Sequence, residues 1–69
     1  MKCLFSERIR ELRLERKLNQ KTLAEKIGVK QSCISKWERG ETLPDAQMIM
    51  LIVDFFNISA DYLLGIKDY

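Results

Sequence analysis

Sixty-nine residues leave room for one small domain. A chain of this size buries only about 60% of the surface its unfolded form exposes, so its core must be filled efficiently. The composition permits that, at 46% apolar and 32% charged with one proline and a net charge of +2, and it excludes a disordered or low-complexity segment. The longest apolar run, Met48–Val53, stops at Asp54, far short of the about 20 residues that cross a bilayer. Near the N-terminus only Cys3-Leu4-Phe5 is apolar before Ser6-Glu7-Arg8, too little for the apolar region of a secretion signal, which needs about 7–15 residues. The expectation is a cytoplasmic protein with no membrane partner.

Two cysteines, Cys3 and Cys33, accompany a complete lack of histidine. They form neither a CxxC pair nor a four-ligand zinc set. Free thiols in a reducing compartment are expected, with a single disulfide as the alternative. Without histidine the commonest general base near neutral pH is missing. There is also no GxGxxG, no GxxxxGK[ST] and no nucleophile elbow. The chain therefore reads as a non-enzyme with no metal, no cofactor and no evident small-molecule site. Its charge is unevenly placed. Residues 1–40 hold eleven Lys/Arg against five Glu, or +6, and residues 41–69 hold Lys67 against five acids, or −4. One end is suited to an anion, although a solvated charged surface would look the same.

Between Gly28, Gly40, Pro44 and Gly65 the apolar spacing is helical and no stretch alternates like an exposed strand. Phe5, Ile9 and Leu12 fall at i, i+4, i+7, so a first helix is predicted with Ser6 as a candidate cap, running to about Lys17. Asn19 is a favoured N-cap for a second helix, whose inner face is Leu23, Ala24 and Ile27 and whose end is Gly28. A third helix is predicted over 31–39, with Ile34 and Trp37 inward and Gly40 as its stop. Asp45 caps a fourth, running to about Phe56, with Asn57 suited to a left-handed exit. Ser59 caps a short fifth, ending at Gly65.

The stretch 20–39 is the informative one. Two helices joined across Gly28-Val29 must cross steeply, as in a helix-turn-helix. That crossing needs a residue tolerant of positive φ, which Gly28 supplies, and a small residue at the close approach, which Ala24 supplies. The stretch Asn19-Gln-Lys-Thr-Leu-Ala-Glu-Lys-Ile-Gly-Val-Lys-Gln-Ser-Cys-Ile-Ser-Lys-Trp-Glu-Arg-Gly40 resembles the helix-turn-helix of the phage Cro/lambda-repressor (XRE) family. The likeness extends to Arg8-Ile-Arg-Glu-Leu-Arg13, to Leu43-Pro44 and to Ile58-Ser-Ala-Asp-Tyr-Leu-Leu-Gly65. It implies an all-α, compact five-helix lambda-repressor-like domain over residues 1–69, whose third helix enters the major groove of double-stranded DNA.

The residues agree with that implication. Gln31, Ser32, Ser35, Lys36 and Arg39 share the face opposite Ile34 and Trp37, and all of them can donate hydrogen bonds. Gln pairs with adenine N6/N7, Lys reaches guanine O6/N7, and Ser serves either. By resemblance, Gln31, Ser32 and Lys36 are the expected base contacts. Asn19 and Gln20 open the second helix, where exposed amides and the helix dipole favour a phosphate. The family uses the Gln20 position to touch phosphate and brace the recognition helix. Lys21, Lys30, Ser35 and Arg39 are further candidates for DNA contact.

The resemblance also implies a salt bridge between Arg13 and Glu38, joining helices one and three. Two positions depart from the family pattern. Lys30 stands where a Ser or Thr cap is common, and Glu41 stands where Lys or Arg is common, which puts loop contacts there in doubt. Cys33, at a usually small position, is read as packing.

The fourth helix carries two apolar stripes, Ile49/Ile52/Val53/Phe56 for the core and Met48/Leu51/Phe55 besides. Leu51, Phe55, Tyr62 and Ile66 are therefore expected to meet a second copy in a homodimer, or else to be covered by a terminal tail. A homodimer would reach two half-sites of a palindromic operator and act as a transcriptional repressor. The alternative is a protein-interaction module on the same fold, such as an antitoxin or regulatory subunit. The chain could equally be the DNA-binding part of a longer protein.

Overall fold

Local chemistry sets most of the helix ends in the computed structural model, which describes residues 3–68. The elements are α1 (Phe5–Glu15), α2 (Gln20–Ile27), α3 (Gln31–Glu38), α4 (Ala46–Phe56) and α5 (Ala60–Leu64), with no strand among the described residues. The side chains of Asn19, Asp45 and Ser59 accept the amides of Thr22, Met48 and Tyr62 at 2.7, 2.9 and 3.0 Å. Each supplies a partner to an amide that the helix itself leaves without one. Gly28, Asn57 and Gly65 end α2, α4 and α5 at φ of 81°, 56° and 87°, in the left-handed region where Gly and Asn are most at ease.

α1 corrects the sequence reading at both ends. Ser6 lies inside the helix, and Leu4 is its N-cap with no side-chain hydrogen bond. A tertiary contact holds the start instead, since the Leu4 amide donates to the Leu64 carbonyl at 3.0 Å. At the far end the helix stops at Glu15 rather than near Lys17. Lys17 takes φ 57°, and the Leu18 amide returns to the Arg13 carbonyl at 3.1 Å. This turn brings Leu18 back against the core.

The core is drawn from every helix: Phe5, Ile9 and Leu12; Leu23, Ala24 and Ile27; Ile34 and Trp37; Ile52 and Phe56; and Leu63. Phe5 meets Trp37 edge-on, with centroids 5.8 Å apart. α3 packs on both α1 and α2, while α5 packs on α1 and α4. Full burial of a side chain such as Ile34 stabilises by about 1.5–3 kcal/mol. That is a large share of the roughly 3–10 kcal/mol expected of a domain this size.

The outer stripe of α4 is less open than its spacing suggests. Phe55 is half-buried, edge-on to Phe56 at 4.9 Å and with the Arg16 guanidinium 5.1 Å from its centroid. Arg16 also donates to the Phe56 carbonyl at 3.2 Å. Tyr62 is half-buried beneath Arg8, whose guanidinium lies 4.2 Å from the ring centroid. Leu51, Ile66 and Met50 remain exposed, at 42%, 50% and 68%. Ile49 and Val53, read as core, are only half-buried. Both cysteines are free thiols, Cys3 exposed and Cys33 half-buried against the core. No helix among the described residues is long and apolar enough to cross a membrane.

Candidate nucleic-acid interface

The turn between α2 and α3 is closed by two amides, Gly28 and Val29, both donating to the Ala24 carbonyl at 2.9 Å. Gly28 provides the positive φ that lets the chain reverse there. Ile34 and Trp37 then bury one side of α3, which leaves the other side outward. Gln31, Ser32, Lys36 and Arg39 are exposed on it, and Ser35 is half-buried. Asn19, Lys21 and Lys30 are exposed at or beside the N-termini of α2 and α3, and Gln20 is half-buried. Nine side chains expected at DNA thus lie along α2's first turn and α3, while Arg13 and Glu38 lie behind them. An α-helix with its side chains is about 10–12 Å across, which suits the about 12 Å width of the major groove.

The one acid of α3, Glu38, is turned away from this face. Arg13 Nε donates to Glu38 Oε2 at 2.7 Å and Arg13 Nη2 to Oε1 at 2.9 Å, a bidentate pair. The side chains are 11% and 6% exposed. Gln20 Nε2 donates to the same Oε1 at 3.2 Å, and Arg13 Nη1 donates to the Leu18 carbonyl at 2.9 Å. One carboxylate therefore ties α1, the start of α2 and the end of α3 together. Its hydrogen bond raises the Arg13 pKa above the ordinary value against the opposing pull of burial, so the guanidinium stays charged. Sequence reasoning did not anticipate that Gln20 and Arg13 share one oxygen, because that contact joins three separate elements.

The loop after α3 holds a second feature that the sequence reading missed. Gly40, at φ 74°, donates to the Trp37 carbonyl at 3.1 Å, and the Glu41 amide donates to the Lys36 carbonyl at 3.0 Å. This paired closure is a Schellman turn, and it folds the chain back over the end of α3. Arg39 Nε then donates to the Glu41 carboxylate and Arg39 Nη1 to Ser35 Oγ. The Arg39 hydrogen bond holds the Glu41 carboxyl below the ordinary carboxylate range, with smaller help from the charges of Arg39 and Lys36. The i, i+2 spacing of Arg39 and Glu41 was the available signal. Lys30, at the N-cap position of α3, makes no side-chain cap.

Open depressions elsewhere among the described residues include the following pair. One is lined by Asn57, Ile58, Ser59, Tyr62 and Asp68, the other by Gln47, Met50, Leu51, Val53 and Asp54. Neither includes a residue of α2 or α3. No group of three or more metal-ligating side chains occurs among the described residues.

Two packed helices joined by a tight turn, a donor-rich outward face on the second and a charged brace behind it define a helix-turn-helix domain of the lambda-repressor type. The helix-turn-helix family profile matches residues 9–63, and the chain belongs to that family. It is 39% identical over 61 residues to repressor protein C2 of Salmonella phage P22, covering 88% of this chain and 28% of the repressor. It is 38% identical over 61 residues to the HTH-type transcriptional activator BcrR of Enterococcus faecalis, covering 88% of this chain and 30% of the activator. The chain thus spans less than a third of either relative. Among solved structures, the P22 c2 repressor in complex with a synthetic operator superposes with a TM-score of 0.82 at 38% identity, covering 87% of this chain and 91% of that one.

Proposed function

We propose that this chain is a sequence-specific DNA-binding transcriptional regulator, and that it acts as one cytoplasmic domain by occupying an operator rather than by chemistry. The observation that carries the reading is the outward face of α3, exposed and donor-rich while its only acid is turned inward. Gln31 and Ser32 at the start of that helix, and Lys36 further along it, read base edges. Asn19, Gln20, Lys21, Lys30 and Ser35 contact phosphate or flank the bases, with Arg39 beside them at the end of α3. The first intrahelical amide bond of α2 runs from Leu23 to Asn19, so the Gln20 and Lys21 amides ahead of it are available to a phosphate oxygen. The likeness to the phage repressor supports repression, by occlusion of a promoter.

A homodimer belongs to the same proposal. The largest dimension of the domain is 29 Å, less than the roughly 34–36 Å between half-sites one helical turn apart. Two copies related by a two-fold axis span that distance where one cannot. Leu51 and Ile66 are the exposed candidates for the contact, with Phe55 and Tyr62 contributing the edges their arginine covers leave open.

The test is selection of a bound duplex from a random pool, followed by titration of two variants. Gln31→Ala should cost ~1–3 kcal/mol on the selected duplex and relax one base position. Lys21→Ala should weaken selected and random duplexes alike and flatten the salt dependence by about 0.9 in log–log slope. Equal loss on random DNA for Gln31→Ala would make it a backbone contact, and failure of any duplex to bind would end the proposal.

A further inference from the structure

Arg39 stands on the DNA-facing side of α3 but is already occupied. Its guanidinium is held from two directions, by Ser35 Oγ one turn back along the helix and by the Glu41 carboxylate beyond the Schellman turn. The turn is what brings Glu41 there, since its own amide is fixed to the Lys36 carbonyl at 3.0 Å. The pair lies in water, with side chains 54% and 51% exposed. In such a position it adds little to stability, so folding alone gives it no clear purpose. The carboxylate oxygen that accepts from Arg39 Nε takes the place that an anionic phosphate oxygen would otherwise take on the guanidinium.

We propose that Glu41 is an internal counter-anion for Arg39: it occupies the guanidinium in free protein, competes with DNA phosphate for it, and so limits sequence-independent affinity. The inference rests on the regulator reading above. Glu41 is a positioning residue that acts through Arg39 and touches no base. The fall of its carboxyl pKa beside Arg39 and Lys36 agrees with a site already neutralised from within. An exposed guanidinium freed of this partner joins the phosphate contacts and releases one further counterion. A regulator gains from the restraint, because genomic DNA offers about 10⁶–10⁹ competing sites.

The test uses the wild-type chain, Glu41→Gln, Arg39→Ala and the double variant. Each is titrated against a duplex recovered by in vitro selection and against a random duplex, from low to high salt. Glu41→Gln should raise affinity for both duplexes by roughly five- to tenfold near 0.1 M salt and steepen the log–log salt slope by about 0.9, the increment for one phosphate contact. The ratio of selected to random affinity should stay constant, and the thermal midpoint should not move. In the Arg39→Ala background the gain should disappear. An unchanged affinity for Glu41→Gln would overturn the proposal. So would a gain that survives intact without Arg39, which makes Glu41 a plain repelling charge, or a gain confined to the selected duplex, which makes it a base reader. A wild-type chain that binds neither duplex would remove the regulator reading itself, and this inference with it.

Discussion

Glu38→Ala removes a single carboxylate that receives three hydrogen bonds, two from Arg13 and one from Gln20. The remaining guanidinium is 11% exposed, and its charge cannot be shed, because arginine stays protonated throughout the accessible pH range. Breaking a buried pair from one side costs about 3–5 kcal/mol. The lower end applies here, since the radius of gyration is 10.9 Å and water is never far from the pair. A loss of ~3 kcal/mol against a total of roughly 3–10 kcal/mol leaves the variant marginal. At about 4–8 °C per kcal/mol it lowers Tm by roughly 12–24 °C.

Trp37, the single tryptophan, is buried beside Phe5 and reports unfolding by fluorescence. In urea the midpoint should fall with little change in m. A companion variant, Arg13→Met with Glu38→Leu, separates charge from shape. Replacing both partners with apolar groups should recover most of the loss, because no charge is then left buried. If Glu38→Ala kept the wild-type midpoint, or the apolar pair were no better than the single variant, the brace would carry no weight and the argument from burial would be refuted.

Two further outcomes follow from the same geometry. Lys30→Ser should stabilise α3 by about 0.5–2 kcal/mol through a new N-cap while weakening DNA binding at low salt, which unfolding and titration on one sample would read together; a variant that binds as tightly as wild type would show that Lys30 meets no phosphate. Leu51→Glu should render the protein monomeric in sedimentation at concentrations where wild type dimerises, and a wild type that stays monomeric at high micromolar concentration would dismiss the two-fold assembly.

Much of the architecture was legible because its determinants are local. Asn19, Asp45 and Ser59 cap their own helices within three residues, and Gly28, Asn57 and Gly65 stop them. The start of α1 was misread because its determinant is distant: Leu64, not Ser6, holds it. Its end was misread because good helix formers continue to Lys17, while the contact of Arg13 with the Leu18 carbonyl accompanies an earlier turn. Single-helix periodicity overstated the openness of Phe55 and Tyr62, since the arginines over them come from another part of the chain, Arg8 in α1 and Arg16 just after it. The recognition face was readable because its polarity is a property of one helix. The resemblance implied the Arg13–Glu38 bridge and a bracing role at Gln20, but not that Arg13 and Gln20 meet on one carboxylate oxygen.

The bond between Leu4 and Leu64, with Gly65 pressed so near that a Cβ there would sit 2.6 Å from Leu4 Cγ, is a clasp that joins the two extremities of the folded unit. Phe5 and Leu63, both wholly buried, lie directly behind it. Fraying of either extremity therefore unlatches the other and bares the same flank of the interior. Whatever is attached at one extremity departs from beside the other, so a linker of few residues would suffice to rejoin them in a permuted chain.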